Sequence, residues 1–156
     1  MQSSKEYIRS VSAIHISMAL GQILILAAAI WVIDPRREKA FELFFQIGQG
    51  IIIVAGIIIA YCVYSKYAKM TKRMRGIREK LLTYRKGLLY QWIIFECITV
   101  TAILAFILTG GQIFVFASIF SLAVFIINRP TIGKTIDDLE LDSSEKRILE
   151  TPDAAI

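Results

Sequence analysis

The chain has 156 residues, of which 56% are hydrophobic and 20% charged, with a formal net charge of +5 and a mean hydropathy of +0.60. A soluble globular chain is about 45–50% apolar and distributes its apolar residues periodically, whereas here they lie in long blocks. The composition therefore excludes a soluble domain and predicts an integral membrane protein.

Four blocks are long enough to cross a bilayer, since about 30 Å of hydrocarbon requires about 20 residues at about 1.5 Å each. The first block exceeds the apolar region of a signal peptide and lacks a small-residue cleavage site, so we expect it to be retained. In chain order, the sequence predicts a cytoplasmic N-terminal segment 1–9, span 1 at 10–33, an outer loop 34–42, span 2 at 43–64, a basic cytoplasmic helical connection 65–86, span 3 at 87–109, an outer turn 110–111, span 4 at 112–128 and a cytoplasmic acidic tail 129–156.

The distribution of basic residues predicts the orientation of these spans. The connection 65–86 carries nine of the eighteen basic residues and one acidic residue, Glu79, whereas the outer loop has three of each. Basic residues concentrate in short cytoplasmic loops. The predicted fold is therefore all-α: an integral membrane four-helix bundle of two consecutive helical hairpins, with both termini cytoplasmic.

Span 1 contains two polar residues of interest, His15 and Gln22, which are seven residues apart on one helical face. His15 is the only histidine, and imidazole titrates near neutral pH. It is a candidate proton relay toward an intramembrane carboxylate. The alternative is a hydrogen-bonded histidine near the membrane interface with no relay function.

Span 2 has a face suited to close helix packing. Gly56 and Ala60 have the small-xxx-small spacing that lets helix backbones approach. The spacing predicts packing but leaves open whether it serves a contact within the chain or a dimer. The residues on this face are Gln46, Gln49, Ile53, Gly56 and Ala60.

The basic connection has an apolar stripe with helical spacing. Gly76 interrupts it and predicts a turn at which one helix ends and the next begins. Two arrangements follow: spans 2 and 3 extend as helices and bury the stripe between them, or one amphipathic helix lies on anionic lipid headgroups. The stripe comprises Tyr67, Met70, Met74, Ile77, Leu81, Tyr84 and Leu88.

Span 3 contains Glu96, the only charged residue in the four blocks. Charged residues inside a membrane are costly and usually face a bundle interior or cavity. Gln22 lies at a similar depth, Thr99 one turn away, and Ser118 and Ser121 midway along span 4. We expect these five residues to form an intramembrane polar layer, which holds the helices in register, handles protons or ions, or forms a ligand site.

The tail carries four basic and seven acidic residues, opposite in balance to the connection. We expect it to dock on the connection through complementary charge, against the alternative of a solvated tail. Ile132, Ile136 and Leu139 share one face of a first short helix. Asp142 followed by Glu145 predicts the cap of a second.

Enzyme signatures are missing from the sequence: there is no Gly-rich phosphate loop, HExxH or GxSxG motif. Cys62 and Cys97 lack CxxC or metal spacing, so no metal site and no cofactor are expected. Topology explains the basic connection without nucleic acid, and anionic lipid headgroups are its expected partner. The candidate lipid- or partner-binding residues are Lys66, Lys69, Lys72, Arg73, Arg75 and Arg78.

Residues 84–145 carry a resemblance to known proteins through "YRKGLLYQWIIFE", "FILTGGQ" and "NRPTIGKTIDDLELDSSE". They resemble uncharacterised small four-span inner-membrane proteins of Gram-negative bacteria that have an R-P-T-x-x-K-x-x-x-D-L-x-L type C-terminal tail. The resemblance implies a multi-pass protein of the bacterial inner (plasma) membrane and supplies no activity. The matching residues are Arg129, Pro130, Thr131, Lys134, Asp138, Leu139 and Leu141.

Two functions fit the sequence. The first is a non-enzymatic integral membrane protein, which is either an accessory or structural subunit of a larger membrane complex or a homo-oligomer. Its cytoplasmic face binds a partner or lipid. The second is a proton- or ion-coupled transport element that uses Glu96.

Overall fold

The computed structural model describes residues 4–33, 42–74 and 76–151, and this part of the chain is all-helical. The predicted all-α class is confirmed. Most of the predicted outer loop, as well as Arg75, lies outside the described residues. The helices are α1 Ser4–Val32, α2 Glu42–Thr71, α3 Ile77–Thr109, α4 Gln112–Ile127, α5 Ile132–Leu139 and α6 Ser143–Glu150.

Three helices, α1, α2 and α3, are long and apolar enough to cross a membrane, and α4 counted together with α5 gives a fourth. Helix α2 has 30 residues and α3 has 33. At about 1.5 Å per residue, each exceeds the roughly 30 Å of hydrocarbon in a bilayer. If they span a membrane, part of each helix extends beyond it.

The connection between α2 and α3 is a short turn, not a continuous interfacial helix. The amide of Arg73 donates to the carbonyl of Met70 at 3.2 Å, and that of Met74 donates to Thr71 at 3.0 Å. Helix α3 then starts after Gly76, whose carbonyl accepts from the Lys80 amide at 3.0 Å. The first of the two predicted arrangements, a helical hairpin turning near Gly76, is confirmed.

The chain divides into two compact units. Unit 1 comprises Met1–Ile16, Tyr61–Gln91 and Arg129–Ile156. Unit 2 comprises Ser17–Ala60 and Trp92–Asn128.

Unit 2 has an apolar core to which α1, α3 and α4 contribute. The Trp92 and Phe125 rings, from α3 and α4, pack edge to face with centroids 6.4 Å apart. Partly buried residues, among them Phe45 of α2, pack against the core. The core residues are Leu26, Ala29, Ile103, Ala105, Phe106 and Phe114.

Helix α2 packs on α3 in unit 2 through the predicted small-residue face. A Cβ atom at Gly56 would lie 2.5 Å from Cδ1 of Ile98, and Ala60 is fully buried. Nearby, the Gln49 side-chain amide donates to the Ile98 carbonyl oxygen at 3.2 Å. Gly56 therefore serves a contact within the chain, which resolves the alternative that the sequence left open.

The two helices also pack closely in unit 1. A Cβ at Gly87 would lie 2.6 Å from Cβ of Tyr67. On the α3 half of the predicted stripe, Leu81, Tyr84 and Leu88 are buried, whereas Met70 of α2 is 43% exposed. Burial of the stripe is thus confirmed for Leu81, Tyr84 and Leu88 and wrong for Met70.

The predicted outer turn lies between α3 and α4. Gly110 has φ +68°, a left-handed conformation that glycine adopts without the steric penalty of a Cβ atom. Its amide donates to the Phe106 carbonyl at 2.7 Å. The amide of Gly111 donates to the Thr109 hydroxyl at 3.1 Å, so the turn satisfies polar groups at the end of α3.

The two tail helices form where the sequence predicts them. Thr131 caps α5 by accepting the Lys134 amide at 3.2 Å. Asp142 and Glu145 form a reciprocal capping box at the start of α6, as predicted. One detail differs, because Ile132 is 41% exposed and does not belong to the buried face of α5.

Candidate functional site

Two tyrosines, from two helices of unit 1, donate hydrogen bonds to the carboxylate of Asp138 on a third helix. Tyr84 of α3 donates its hydroxyl to Asp138 Oδ2 at 2.7 Å, and Tyr64 of α2 donates to the same oxygen. The two tyrosine oxygens lie 3.0 Å apart. A carboxylate is a stronger hydrogen-bond acceptor than a neutral oxygen, so Asp138 joins α5 to both arms of the α2–α3 hairpin. We call Tyr64, Tyr84 and Asp138 the tyrosine–aspartate cluster.

Lys134 reinforces this cluster from one turn earlier on α5. Residues four apart lie on the same helix face, and the Lys134 Nζ atom lies 5.5 Å from the centroid of the Tyr64 ring. At this distance an ammonium group is attracted by the electron-rich face of the ring. Tyr64 is therefore contacted twice by α5, once at its hydroxyl and once at its ring.

An ion pair joins α6 to α3. Lys80 Nζ lies 2.7 Å from Glu145 Oε1 and 2.6 Å from Oε2, and both side chains are only 12% exposed. A second pair, Lys72 with Glu140, also has a distance of 2.6 Å, but its side chains are 42% and 67% exposed. Exposed pairs contribute little to stability, so the Lys80 pair carries most of the charge-dependent docking.

Glu145 also belongs to the capping box of α6. Its Oε2 atom accepts the Asp142 amide at 3.3 Å, while Asp142 Oδ1 accepts the amides of Ser144 at 2.9 Å and Glu145 at 2.8 Å. The Ser144 side chain and the Glu145 amide, by donating to the Asp142 carboxylate, lower its pKa. One carboxylate, Glu145, thus links the start of α6 to the ion pair with Lys80.

Apolar burial supports these polar contacts. Leu139 of α5 and Leu149 of α6 are each 1% exposed, and fully burying a leucine is worth about 1.5–3 kcal/mol. The predicted docking of the tail on the connection is therefore confirmed, and it uses leucine burial and tyrosine hydrogen bonds in addition to charge.

The predicted intramembrane polar layer lies in unit 2, but its hydroxyl groups do not bridge helices. Thr99, Ser118 and Ser121 are buried, and each donates to a carbonyl one turn earlier in its own helix. Gln22 is 1% exposed, and its amide oxygen and nitrogen have no hydrogen-bond partner among the described residues.

Glu96 lies at the edge of the buried part of α3 in unit 2. It is half-buried, between fully buried Phe95 and exposed Cys97, and it makes no hydrogen bond or ion pair within the described part of the chain. In this region Gln49 of α2 makes a hydrogen bond to the Ile98 carbonyl oxygen of α3.

His15 is buried and belongs to unit 1, whereas Glu96 belongs to unit 2, so the proton relay stays a prediction.

Several candidate lipid-binding residues lie together on an exposed face of α2. This face forms an open groove of about 620 Å³, which we call the α2 groove. Lys72 instead pairs with Glu140, Arg78 is exposed on α3, and Arg75 is outside the described residues. The groove is lined by Tyr61, Cys62, Ser65, Lys66, Lys69, Met70 and Arg73.

The sequence did not reveal the tyrosine–aspartate cluster. Tyr64 lies at the end of a predicted span, where tyrosine commonly anchors a helix at the membrane interface, and Asp138 was only one of seven tail acids. A usable signal was present in the spacing of Lys134 and Asp138, which places both on one face of α5.

Within residues 4–33, 42–74 and 76–151, no group of three or more His, Cys, Asp or Glu side chains is arranged to hold a metal ion. No family model, curated protein or solved structure matches the chain.

Proposed function

We propose that the protein is a non-enzymatic integral membrane protein that acts through a cytoplasmic head. The head consists of the α2–α3 turn region and the two tail helices, and the apolar helices form a four-helix membrane bundle that carries it. In this role the protein is an accessory subunit or a homo-oligomer in the inner membrane of a bacterium. The observation that carries the proposal is the docked tail, held by the tyrosine–aspartate cluster and the Lys80–Glu145 pair.

The docked tail supports a binding role because ordering it is costly. Fixing the backbone of a residue costs about 1–2 kcal/mol in conformational entropy. Here two capped helices, two buried leucines and a nearly buried ion pair offset that cost. A solvated tail with no binding role would need none of these contacts.

Two observations support the cytoplasmic placement of the head. The connection has nine of the chain's basic residues, which is typical of cytoplasmic loops. The start of α1 packs in the same unit, where the Tyr7 hydroxyl donates to the Leu81 carbonyl at 2.9 Å. An N-terminal segment and a tail that both pack with the connection belong on its side of the bilayer.

The test compares cross-linked partners in native membranes between the wild type and an undocked variant. Asp138→Leu combined with Lys80→Met removes the acceptor of the two tyrosines and the nearly buried cation. Lys72→Met is the matched control, since it removes an exposed pair. We expect a defined set of cross-linked membrane proteins, or a cross-linked homo-oligomer, to be lost in the double variant and retained in the control. The same cross-links in all three proteins would reject a role for the head.

A second candidate function is proton or ion transport through Glu96. It is favoured by the half-buried carboxyl group of Glu96, which has no partner within the described residues, and by the unpartnered amide of Gln22 in the same unit. Glu96→Gln retains the size of the side chain and removes its ionisable proton. In reconstituted vesicles, a proton flux present in the wild type and absent from this variant would establish transport. Equal fluxes would exclude Glu96 as the carrier.

A further inference from the structure

We propose that the α2 groove binds the headgroup of an anionic phospholipid, with Lys66, Lys69 and Arg73 contacting the phosphate and Tyr61 and Cys62 lying against the upper acyl chain. The inference rests on the proposed membrane placement of α2. It narrows the expected binding of anionic headgroups to one groove, with three of the candidate cations at the phosphate and an apolar contact for the acyl chain.

The three cations of the groove are uncompensated. None of them forms an ion pair with a described residue, and the chain has no acidic residue between Tyr61 and Arg73. The tail instead neutralises cations outside the groove, Lys72 through Glu140 and Lys80 through Glu145. Docking of the tail therefore leaves a row of free positive charge on one side of α2.

The order of residues along the groove matches the order of chemical groups in a membrane lipid, in which the acyl chain is followed by the phosphate of the headgroup. Tyr61 and Cys62 come first, Lys66 follows one turn later, Lys69 lies further along α2, and Arg73 lies in the turn that follows the helix. At about 1.5 Å per residue of α2, Lys66 is about 6 Å and Lys69 about 10 Å beyond Cys62. The headgroup layer adds about 5–8 Å on each side of the hydrocarbon, so Lys66 and Lys69 lie at phosphate level. A long arginine side chain extends back toward the interface from Arg73.

The composition of the groove favours a lipid over a soluble anion. A site for free phosphate would be lined by polar donors alone, whereas this groove also presents the ring of Tyr61, which is 46% exposed, and the side chain of Met70, which is 43% exposed. The hydroxyl of Ser65 supplies a further donor beside Lys66. An anionic headgroup with an attached acyl chain matches both kinds of surface.

The test measures lipid binding to the purified full-length protein in detergent by native mass spectrometry. Phosphatidylglycerol is compared with phosphatidylcholine of the same acyl chains. The groove variant is Lys66→Gln, Lys69→Gln and Arg73→Gln. The matched control, Lys86→Gln, Lys146→Gln and Arg147→Gln, removes the same charge from exposed positions of unit 1 outside the groove. Circular dichroism melting confirms that both variants are folded.

We expect phosphatidylglycerol to bind the wild type at least tenfold more tightly than phosphatidylcholine. The groove variant should bind it roughly 100-fold more weakly, since each basic residue close to the anionic group contributes roughly fivefold. The control should stay within about threefold of the wild type, because its three charges lie outside the groove and this attraction falls off with distance. Three results would overturn the proposal: equal binding of the two lipids, an equal loss in both triple variants, or displacement of phosphatidylglycerol by inorganic phosphate. None of these results changes the cross-linked partners that are expected for the docked tail. The lipid site and the proposed role of the head can therefore be rejected independently.

Discussion

The hydroxyl of Tyr84 donates to the carboxylate of Asp138 at 2.7 Å, although 54 residues separate the two in the chain. Tyr84 is 1% exposed, and the Tyr64 hydroxyl shares the same acceptor oxygen. The contact fixes the register of α5 against the α2–α3 hairpin, because only one residue of α5 supplies this acceptor.

Replacing Tyr84 with phenylalanine should loosen the tail without unfolding the protein. The ring remains to fill its buried site, and the loss of a hydrogen bond to a charged group costs about 1.5–3 kcal/mol. Hydrogen exchange of the α5 amides should therefore accelerate roughly 10- to 100-fold. Tyr90→Phe is the control, since Tyr90 is 49% exposed, and it should leave α5 exchange unchanged. Equal exchange in the two variants would contradict a stabilising role for the Tyr84 hydroxyl.

The two ion pairs of the tail should differ in their contribution. Lys80→Met leaves Glu145 without its cation in a site where that side chain is 12% exposed, and such a change costs about 3 kcal/mol. Lys72→Met removes a pair between exposed side chains and should cost less than about 1 kcal/mol. The measurement is hydrogen exchange of the α6 amides in each variant. Similar protection of α6 in both would show that burial does not distinguish the two pairs.

Two glycines of the α2–α3 packing should respond differently to alanine. At Gly87 the added methyl group would lie 2.6 Å from Cβ of Tyr67, next to the backbone, whereas at Gly56 it would lie 2.5 Å from Cδ1 and 2.8 Å from Cγ1 of Ile98, side-chain atoms that a rotation about χ1 moves away. Overpacking costs about 1–3 kcal/mol, and alanine gains up to about 1 kcal/mol over glycine in a helix. Gly87→Ala should thus destabilise the protein, and Gly56→Ala should be close to neutral.

Thermal unfolding followed by circular dichroism measures both glycine variants. Gly21→Ala serves as the reference, because a Cβ at Gly21 has no neighbouring atom within 4 Å. The expected order of melting temperatures is Gly21→Ala highest and Gly87→Ala lowest. A Gly87→Ala protein as stable as the reference would contradict the close approach of α2 and α3.

The cap of α6 should persist in mild acid. The pKa of Asp142 is lowered from its ordinary value of 3.8 by the donors Ser144 and Glu145. A carboxyl group whose pKa falls on folding contributes stability above the unfolded value, and that stability is lost only as pH falls through the folded value. A carbon-13 titration should therefore give Asp142 a pKa below 3.8. A value at or above it would contradict the cap, as would unchanged α6 exchange in Asp142→Ala.

The features that the sequence predicted correctly are mostly local. The capping box of Asp142 and Glu145 and the turn near Gly76 depend on residues a few positions apart, so spacing alone defines them. The contacts of Asp138 depend on how α5 sits against the hairpin, which spacing along the chain does not determine.

Glu96 illustrates a second limit of the sequence. Its depth follows from the number of residues along the helix, but its burial depends on rotation about the helix axis. Each residue turns an α-helix by about 100°, which is enough to place Phe95 in the core, Glu96 at its edge and Cys97 on the exposed surface. The identity of the residues in the predicted polar layer does not determine how α3 is rotated about its axis.

The most direct test of the docked tail is carbodiimide coupling of the wild-type protein in its membrane. This reagent joins amines and carboxylates only when they are in contact. The pairs Lys80–Glu145 and Lys72–Glu140, each at 2.6 Å, should give the two main cross-linked peptides between the connection and the tail. Mixed isotope labelling should show that the links form within one chain. Links spread evenly over the lysines of the connection, or the absence of any link from the tail to the connection, would contradict the docked head.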